Sequence, residues 1–235
     1  MLLATTAANA EPVFSDRLSG GYEYIDAAGT SANAWGAQNQ GLISFALPGF
    51  NLQLDLAETR TQSSGFSTDD FHGAFSGFWR SALGTLGATF AHESSSGVSV
   101  NSYGAFAEWY AAPKLTFRLK GGGGDGSIFG LAALSSSGGY GGAGVGYYPN
   151  RNVEVSLDYT YLTTSGVDVQ SYGGALRWQF DTSLPLSMNL GYQHLSSNAG
   201  VDGNEVMFSL SYRYGAPGSL LRSDRMGPVD WTAAL

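Results

Sequence analysis

The residues of this chain that could do chemistry are charged side chains that recur at every second position. Lys114, Arg118 and Lys120 occupy even-numbered positions of a segment whose odd-numbered positions are apolar; we call each alternating set one parity. Glu154 and Asp158 occupy one parity of another such segment. Side chains two residues apart in a β-strand point to the same face, so each set forms a row. Rows of both signs inside a closed sheet can pair with each other and line a path for ions and water.

A second candidate constellation surrounds His194. The sequence QHLSSNAG at this point resembles the His-x-Ser-Asn signature of outer-membrane lipid A deacylases and, more loosely, outer-membrane phospholipase A. The resemblance implies a lipid-modifying esterase in which His194 is the base and Ser196 the nucleophile, with Glu205 or Asn204 as the orienting third member. An extra serine departs from the spacing of the signature. The alternative is a histidine at an aromatic girdle position, because the corresponding residue of the best-formed hairpin is Tyr161.

Other catalytic and cofactor motifs are absent from the sequence. There are no cysteines, and no metal-ligand spacing, phosphate-binding loop or dinucleotide motif occurs. We therefore expect no cofactor and no metal ion. The net charge of −8 argues against a nucleic-acid partner, because binding to phosphates needs a basic surface.

The elements that must position these side chains are clearest in residues 152–180. Val155 and Leu157 alternate with polar residues and, after a Thr/Ser/Gly loop, Leu176 and Trp178 lie on the apolar parity of a second limb. Alternation over about ten residues, with aromatic residues at the ends of the apolar face, is typical of a membrane-spanning β-hairpin. A hairpin of a soluble sandwich also alternates, but its strands are usually about five or six residues long.

Similar hairpins recur along the chain. Residues 96–109 and 165–178 share Ser-Gly-Val at their start, Ser-Tyr-Gly in the middle and Trp at the end, and residues 199–212 keep the alternation. Matching positions are about 35 residues apart, or twice that distance, which corresponds to one hairpin with its connections. No run approaches the roughly 18 apolar residues of a spanning helix.

The repeated hairpins predict an all-β fold, a transmembrane antiparallel up-and-down β-barrel of about 12 strands. We expect short periplasmic turns near residues 48, 82, 112, 150 and 183, and longer extracellular loops near residues 30, 65, 96, 131, 166 and 200, with residues 124–139 as a long Gly/Ser-rich segment. The outward parity should face lipid. Its members include Leu54, Phe75, Phe117, Val155, Leu157, Leu176, Leu190 and Phe208.

The other parity is expected to line the lumen. The predicted pore-lining residues are Glu23, Asp55, Arg80, Glu108, Lys114, Arg118, Lys120, Glu154, Asp158, Arg177 and Arg213. This nearly balanced set predicts a weakly selective pore, and the alternative is an occluded interior held by salt bridges. Inward glycines such as Gly87, Gly104 and Gly146 favour the pore, because they leave room along the wall.

The chain is expected to have three parts. Residues 1–10 end in Ala8-Asn9-Ala10, a small-x-small pattern that predicts the remnant of a secretory signal peptide, with a flexible Ala-rich tail as the alternative. Residues 11–214 form the barrel. Residues 215–235 do not continue the alternation and form a periplasmic C-terminal tail, which we expect to be disordered; an ordered plug and a contact with a partner protein are the alternatives.

Over its strand region the chain resembles the porin-like outer-membrane barrels of Gram-negative bacteria, with Trp35-Gly36 and the Ser-Tyr-Gly segments at residues 102–104 and 171–173 as the shared motifs. The resemblance implies an outer-membrane protein that contacts lipid and lipopolysaccharide and forms a narrow pore for small polar solutes. Two other functions stay open. One is the lipid-modifying esterase, and the other is a structural or adhesin barrel whose loops or tail bind a partner.

Overall fold

The structure, a computed structural model, describes residues 13–27, 29–45, 49–96, 98–128, 131–181, 183–215 and 218–229. The predicted signal-peptide remnant at residues 1–10 lies outside these ranges. Among the described residues, no helix is long and apolar enough to cross a membrane.

Alternation of apolar and polar residues gives twelve strands and one short helix in the described part of the chain. They are β1 (Val13–Ala27), β2 (Thr30–Ser44), β3 (Phe50–Ser63), β4 (Phe66–Arg80), β5 (Gly84–Ser95), β6 (Val98–Ala112), β7 (Leu115–Ile128), β8 (Leu131–Asn150), β9 (Val153–Thr164), β10 (Val167–Gln179), β11 (Leu186–Ser197), β12 (Asp202–Tyr214) and α1 (Leu220–Met226). The strands are 12 to 20 residues long, which exceeds the roughly 9 to 11 residues that cross a bilayer.

The strands close into a barrel. Each strand pairs with its neighbours in sequence, and β1 also pairs with β12, in continuous register from Asp16 opposite Tyr214 to Ala27 opposite Gly203. Closure leaves no unpaired strand edge, which is the condition that a sheet must meet in lipid. The predicted all-β antiparallel barrel of about 12 strands is confirmed.

The outer wall is apolar. The eight side chains that we expected to face lipid are all on the outside, between 40% and 63% exposed. Aromatic side chains, including Trp79, Trp109, Tyr172 and Tyr214, join the same surface. Most buried side chains of the inner wall are polar, as the alternation predicts, and Leu42, Phe78 and Phe106 add an apolar cluster.

Connections at one end of the barrel, where we expected longer loops, include a turn of only two residues. We call the end of the barrel that carries the β2–β3, β4–β5, β6–β7, β8–β9 and β10–β11 connections the turn end, and the opposite end the loop end. At the loop end, β9 and β10 are joined by Ser165 and Gly166 alone, whose positive φ angles (45° and 85°) suit a type I′ turn. Much of residues 124–139 is paired strand rather than loop, because backbone hydrogen bonds form without side chains.

The described part of the tail, residues 218–229, is ordered, in contrast to the disorder that we expected. The Ser219 side chain caps α1 by accepting a hydrogen bond from the Arg222 N–H (3.4 Å). Leu220 is fully buried, and Val229 packs in an apolar cluster inside the barrel. Of the three alternatives for the tail, the structure supports the ordered plug for these residues.

Candidate functional site

The candidate site is the lumen, where most of the predicted pore-lining residues lie on the inward parity of their strands. These are Glu23, Asp55, Arg80, Glu108, Arg118, Lys120, Glu154, Asp158, Arg177 and Arg213. Lys114 is different. It precedes β7, is exposed at the turn end, and its Nζ donates a hydrogen bond to the Pro149 carbonyl (2.8 Å). Because β7 begins only at Leu115, this lysine lies at the rim of the barrel.

Four wall side chains form a continuous chain of ion pairs. Arg118 lies between two carboxylates: its Nη2 is 2.5 Å from Glu154 Oε1, and its Nε is 3.6 Å from Glu108 Oε1. Arg177 contacts the second oxygen of Glu154. The register produces these contacts, because Glu108 lies opposite Arg118 and Glu154 lies opposite Arg177. Gly146 provides the space, since a Cβ there would collide with Glu154.

The tail adds Asp224 to this chain of ion pairs. Its Oδ2 accepts hydrogen bonds from Arg177 Nη2 (2.6 Å) and the Tyr148 hydroxyl (2.8 Å), and its Oδ1 accepts one from Arg213 Nη2 (2.9 Å). The side chains of Arg213 and Asp224 are only 3% and 9% exposed. Charge-assisted hydrogen bonds are strong, and removing one partner of a buried pair leaves an uncompensated charge. The tail is therefore held in the lumen by a buried electrostatic contact.

A second polar row continues around the wall through β1, β2 and β3. Arg17 Nε donates a hydrogen bond to Gln40 Oε1 (2.7 Å), and Asp55 Oδ1 accepts one from Gln53 Nε2 (2.8 Å). Arg17 lies opposite Gln40, and Gln40 lies opposite Asp55. On its other side, Arg17 lies opposite Arg213. Two arginines thus stand side by side on the inner wall.

The tail crosses the lumen at the turn end. Gln179 of β10 donates a hydrogen bond to the Gly218 carbonyl (2.8 Å). Across the ring, Gln53 of β3 bonds both backbone groups of Val229, at 2.7 Å and 2.9 Å, and Arg80 of β4 donates to another tail carbonyl at 2.9 Å. These contacts fix both ends of the described tail segment, which narrows the turn end of the barrel.

Beyond the tail, the lumen contains a cavity of about 600 Å³. Its wall includes Arg17, Arg118, Arg177, Glu154 and Asp158, and is otherwise mostly serine, glutamine, threonine and small residues. Side chains of this kind can hydrogen-bond to water and to polar solutes. The cavity is therefore suited to small polar molecules.

A second cavity of about 460 Å³ continues toward the loop end. It shares Ala57, Thr59, His72 and Glu93 with the wall of the first cavity, and Glu23 also lines it. His72 Nδ1 lies 3.0 Å from Glu93 Oε1, so this histidine belongs to the polar wall. The two cavities adjoin at these shared residues and lie one after the other between the tail and the loop end.

We expected the inward glycines to leave open space along the wall. On the wall formed by β5 and β6 they do not. A Cβ at Gly87 would collide with Phe78, which is fully buried, and a Cβ at Gly104 would collide with the Tyr140 hydroxyl. The absence of side chains at these glycines lets aromatic rings from other strands pack across the wall. This packing narrows the lumen.

Of the proposed catalytic residues, the structure brings His194 and Asn204 together, but not Ser196 or Glu205. His194 lies on the outer wall near the loop end, where its Nδ1 is 3.1 Å from Asn204 Oδ1 and its Nε2 is 3.3 Å from Asp202 Oδ1. Ser196 follows two residues later, roughly 6.6 Å along the strand, and among the described residues no hydrogen bond joins it to the histidine. Glu205 faces the lumen and accepts a hydrogen bond from a glutamine (2.8 Å). Within the described ranges no cluster of three or more His, Cys, Asp or Glu side chains is placed to hold a metal ion.

Comparison with known proteins gives structural matches only. No family model matches the sequence, and no curated protein matches it significantly. The COG4313 outer membrane channel from Pseudomonas putida F1 aligns with 91% of this chain and 100% of its own, with a TM-score of 0.66 and 12% identity. The NanC porin aligns with 83% of this chain and 98% of its own, with a TM-score of 0.63 and 11% identity.

A third match supports the same architecture. The KdgM porin, in a structure described as a complex with disordered oligogalacturonate, aligns with 83% of this chain and 98% of its own, with a TM-score of 0.54 and 12% identity. At such low identity the similarity shows the fold alone. This chain therefore has the fold of the outer-membrane porin-like barrels, as the sequence motifs implied.

Sequence reasoning missed two residues of the lumen, Tyr148 and Asp224. Tyr148 has the inward parity of β8 but stands directly before Pro149, where we expected a turn. Asp224 lies in the non-alternating tail, which gives no basis for placing its side chain. One signal was present: Arg222, Asp224 and Arg225 concentrate charge in a chain with only 13% charged residues.

Proposed function

We propose that this protein is an outer-membrane barrel whose lumen forms a narrow, weakly selective pore for small polar solutes. The observation that carries the proposal is the contrast between the two sides of one closed wall. The outside exposes apolar and aromatic side chains, and the inside encloses a cavity of about 600 Å³ whose wall includes charged, hydroxyl and amide side chains. An apolar band outside and a polar interior are the properties of barrels that carry solutes across a bilayer.

The environment that fits the outer wall is the outer membrane. Exposed side chains such as Leu54, Leu157 and Phe208 match the hydrocarbon region, and the partners of this surface are lipid and, at the outer leaflet, lipopolysaccharide. The channels with a similar fold support this location. We orient the turn end toward the periplasm, because both ends of the barrel domain lie there.

Weak ion selectivity follows from the arrangement of charges. Arg118 is matched by Glu108 and Glu154, so the narrow part of the wall presents both signs within a few ångströms. Toward the loop end the cavity is lined by Glu23 and Glu93. The Debye length is about 8 Å at physiological salt. A permeating ion is therefore influenced first by the carboxylates toward the loop end and then by the ion pairs around Arg118. Because the narrow part carries both signs, the acidic residues toward the loop end give only a slight preference for cations.

The tail makes the conductance small. Residues 218–229 cross the turn end, and ions must pass around them or displace them. A barrel of this size has a narrow lumen even without a plug.

Planar-bilayer recording tests this proposal. We expect a small conductance with a cation-to-anion permeability ratio near unity. Arg118→Glu should shift the ratio toward cations at low salt, and the shift should fade as the salt concentration rises. Arg118→Gln provides a milder variant in case three adjacent carboxylates disturb folding.

The matched control is Arg60→Glu, which makes the same charge change at an exposed position outside the lumen. It should leave the permeability ratio close to that of the unsubstituted protein. An equal shift in both variants would contradict a selective role for the lumen wall. A folded barrel that carries no current would favour the structural or adhesin barrel instead.

A further inference from the structure

Asp224 occupies a basic site in the lumen wall. Three donors surround its carboxylate, from Arg177, Arg213 and Tyr148, at 2.6 to 2.9 Å. Among the described residues, Asp224 provides the one carboxylate within salt-bridge distance of Arg213. This carboxylate comes from the tail and not from the wall. The barrel therefore presents a set of donors arranged around a carboxylate that is not part of the barrel itself.

Two buried arginines adjoin each other at this point of the wall. Arg17 and Arg213 stand opposite each other on β1 and β12, and each is only 4% exposed. Like charges directly opposite each other destabilise a sheet. Glu154 is already shared between Arg118 and Arg177. One buried donor stays unused beside the tail carboxylate: within the described part of the chain, Arg213 Nη1 has no hydrogen-bond partner.

We propose that Arg177, Arg213 and Tyr148 form a binding site for the carboxylate of a small acidic solute, and that Asp224 occupies this site as an internal competitor. Guanidinium groups match the geometry of a carboxylate. Arg177 also lines the cavity of about 600 Å³, so the remainder of the solute has room beside the site. The proposal rests on the proposed function, because the solute reaches the site through the lumen.

Competition links solute binding to the position of the tail. A ligand shifts a two-state equilibrium by the difference in its affinity for the two states. An acidic solute binds the site only when Asp224 has left it, so binding favours the displaced tail. The tail contacts on β3 and β10 do not involve this carboxylate, and they keep the tail near the lumen.

The test uses Asp224→Ala in the full chain, folded in detergent, with sodium acetate as the probe at constant ionic strength. The substitution should lower the thermal unfolding midpoint, because it leaves the arginines uncompensated. Acetate should raise the midpoint of the variant again in a saturable manner. Acetamide, which has a similar shape and no charge, should not. The unsubstituted chain should show no shift at the same acetate concentrations.

Two further variants keep the result decisive. Asp224→Asn retains the shape of the side chain, and serves if the alanine variant does not fold; it should respond to acetate in the same direction. Asp69→Ala removes the partner of Arg60 in an exposed pair on the outer surface, and acetate should not shift its midpoint. No acetate shift in either Asp224 variant, or an equal shift in Asp69→Ala, would overturn the proposal.

The readout separates this proposal from the proposed function. Acetate stabilisation of an Asp224 variant that carries no current in a bilayer would support the site and contradict the pore. Current without acetate stabilisation would support the pore and overturn the site.

Discussion

At the scale of single residues, parity in the sequence predicts which wall a side chain faces but not which residue it contacts. Arg118 and Glu154 are both predicted to face the lumen, and both do. Their direct contact depends on the register of β7, β8 and β9, which alternation alone does not determine. The involvement of Asp224 depends in addition on the path of the tail. The inward charged residues of the strands were therefore predictable, whereas their pairing, the rim position of Lys114 and the contribution of Asp224 were not.

The esterase hypothesis leads to a prediction at this scale. His194 hydrogen-bonds to Asn204, and among the described residues no hydrogen bond joins it to Ser196. A nucleophile and its base must come within hydrogen-bond reach, about 2.6–3.2 Å. We expect the folded protein to release no fatty acid from lipid A or phospholipid, and Ser196→Ala to behave in the same way. Fatty-acid release by the unsubstituted protein that disappears in Ser196→Ala would restore the esterase hypothesis.

At the scale of elements, the sequence predicts where strands exist better than where they end. The alternation in β9 and β10 is regular, and the outward residues of the hairpin are exposed as expected. The sequence does not predict the end of β7 or the start of β8, because Gly and Ser replace the alternating pattern in residues 124–139. Such residues show no periodicity, yet their backbones complete the ladder. The helix α1 was missed because seven residues are too few for a helical period to emerge.

The lipid-facing side of β9 allows a depth-dependent prediction. Leu157 is 63% exposed on the outer wall near the middle of the strand. Leu157→Arg should destabilise the barrel by about 2–4 kcal/mol if this position lies at the midplane of the bilayer, because the charge must be placed in hydrocarbon. Equilibrium unfolding of the protein in lipid vesicles with guanidinium chloride measures this difference.

Thr163→Arg is the matched control on the same face of the same strand, close to the loop end. It should cost about 0–1 kcal/mol, because the side chain reaches the interface. Equal costs for the two substitutions would contradict the assignment of this wall to the bilayer.

At the scale of the whole molecule, closure of the sheet and occupation of the lumen act together. Closure places the apolar residues outside and the polar residues inside. The tail then restricts the turn end of the polar space, while the cavities continue toward the loop end. The sequence predicts closure, since repeated amphipathic strands have no other way to satisfy their backbone groups in lipid. It does not predict the occupation of the lumen, which depends on a segment without periodicity.

The most direct test of the central claim is the permeability of liposomes that contain the folded protein to neutral polar solutes of graded size. Neutral solutes report the path itself, independently of the charges along it. We predict that a pentose enters rapidly and a trisaccharide slowly, because the lumen is narrow, and that liposomes with heat-unfolded protein admit neither. Folded protein that admits no pentose, or that admits both sugars equally fast, would contradict a narrow pore for small polar solutes.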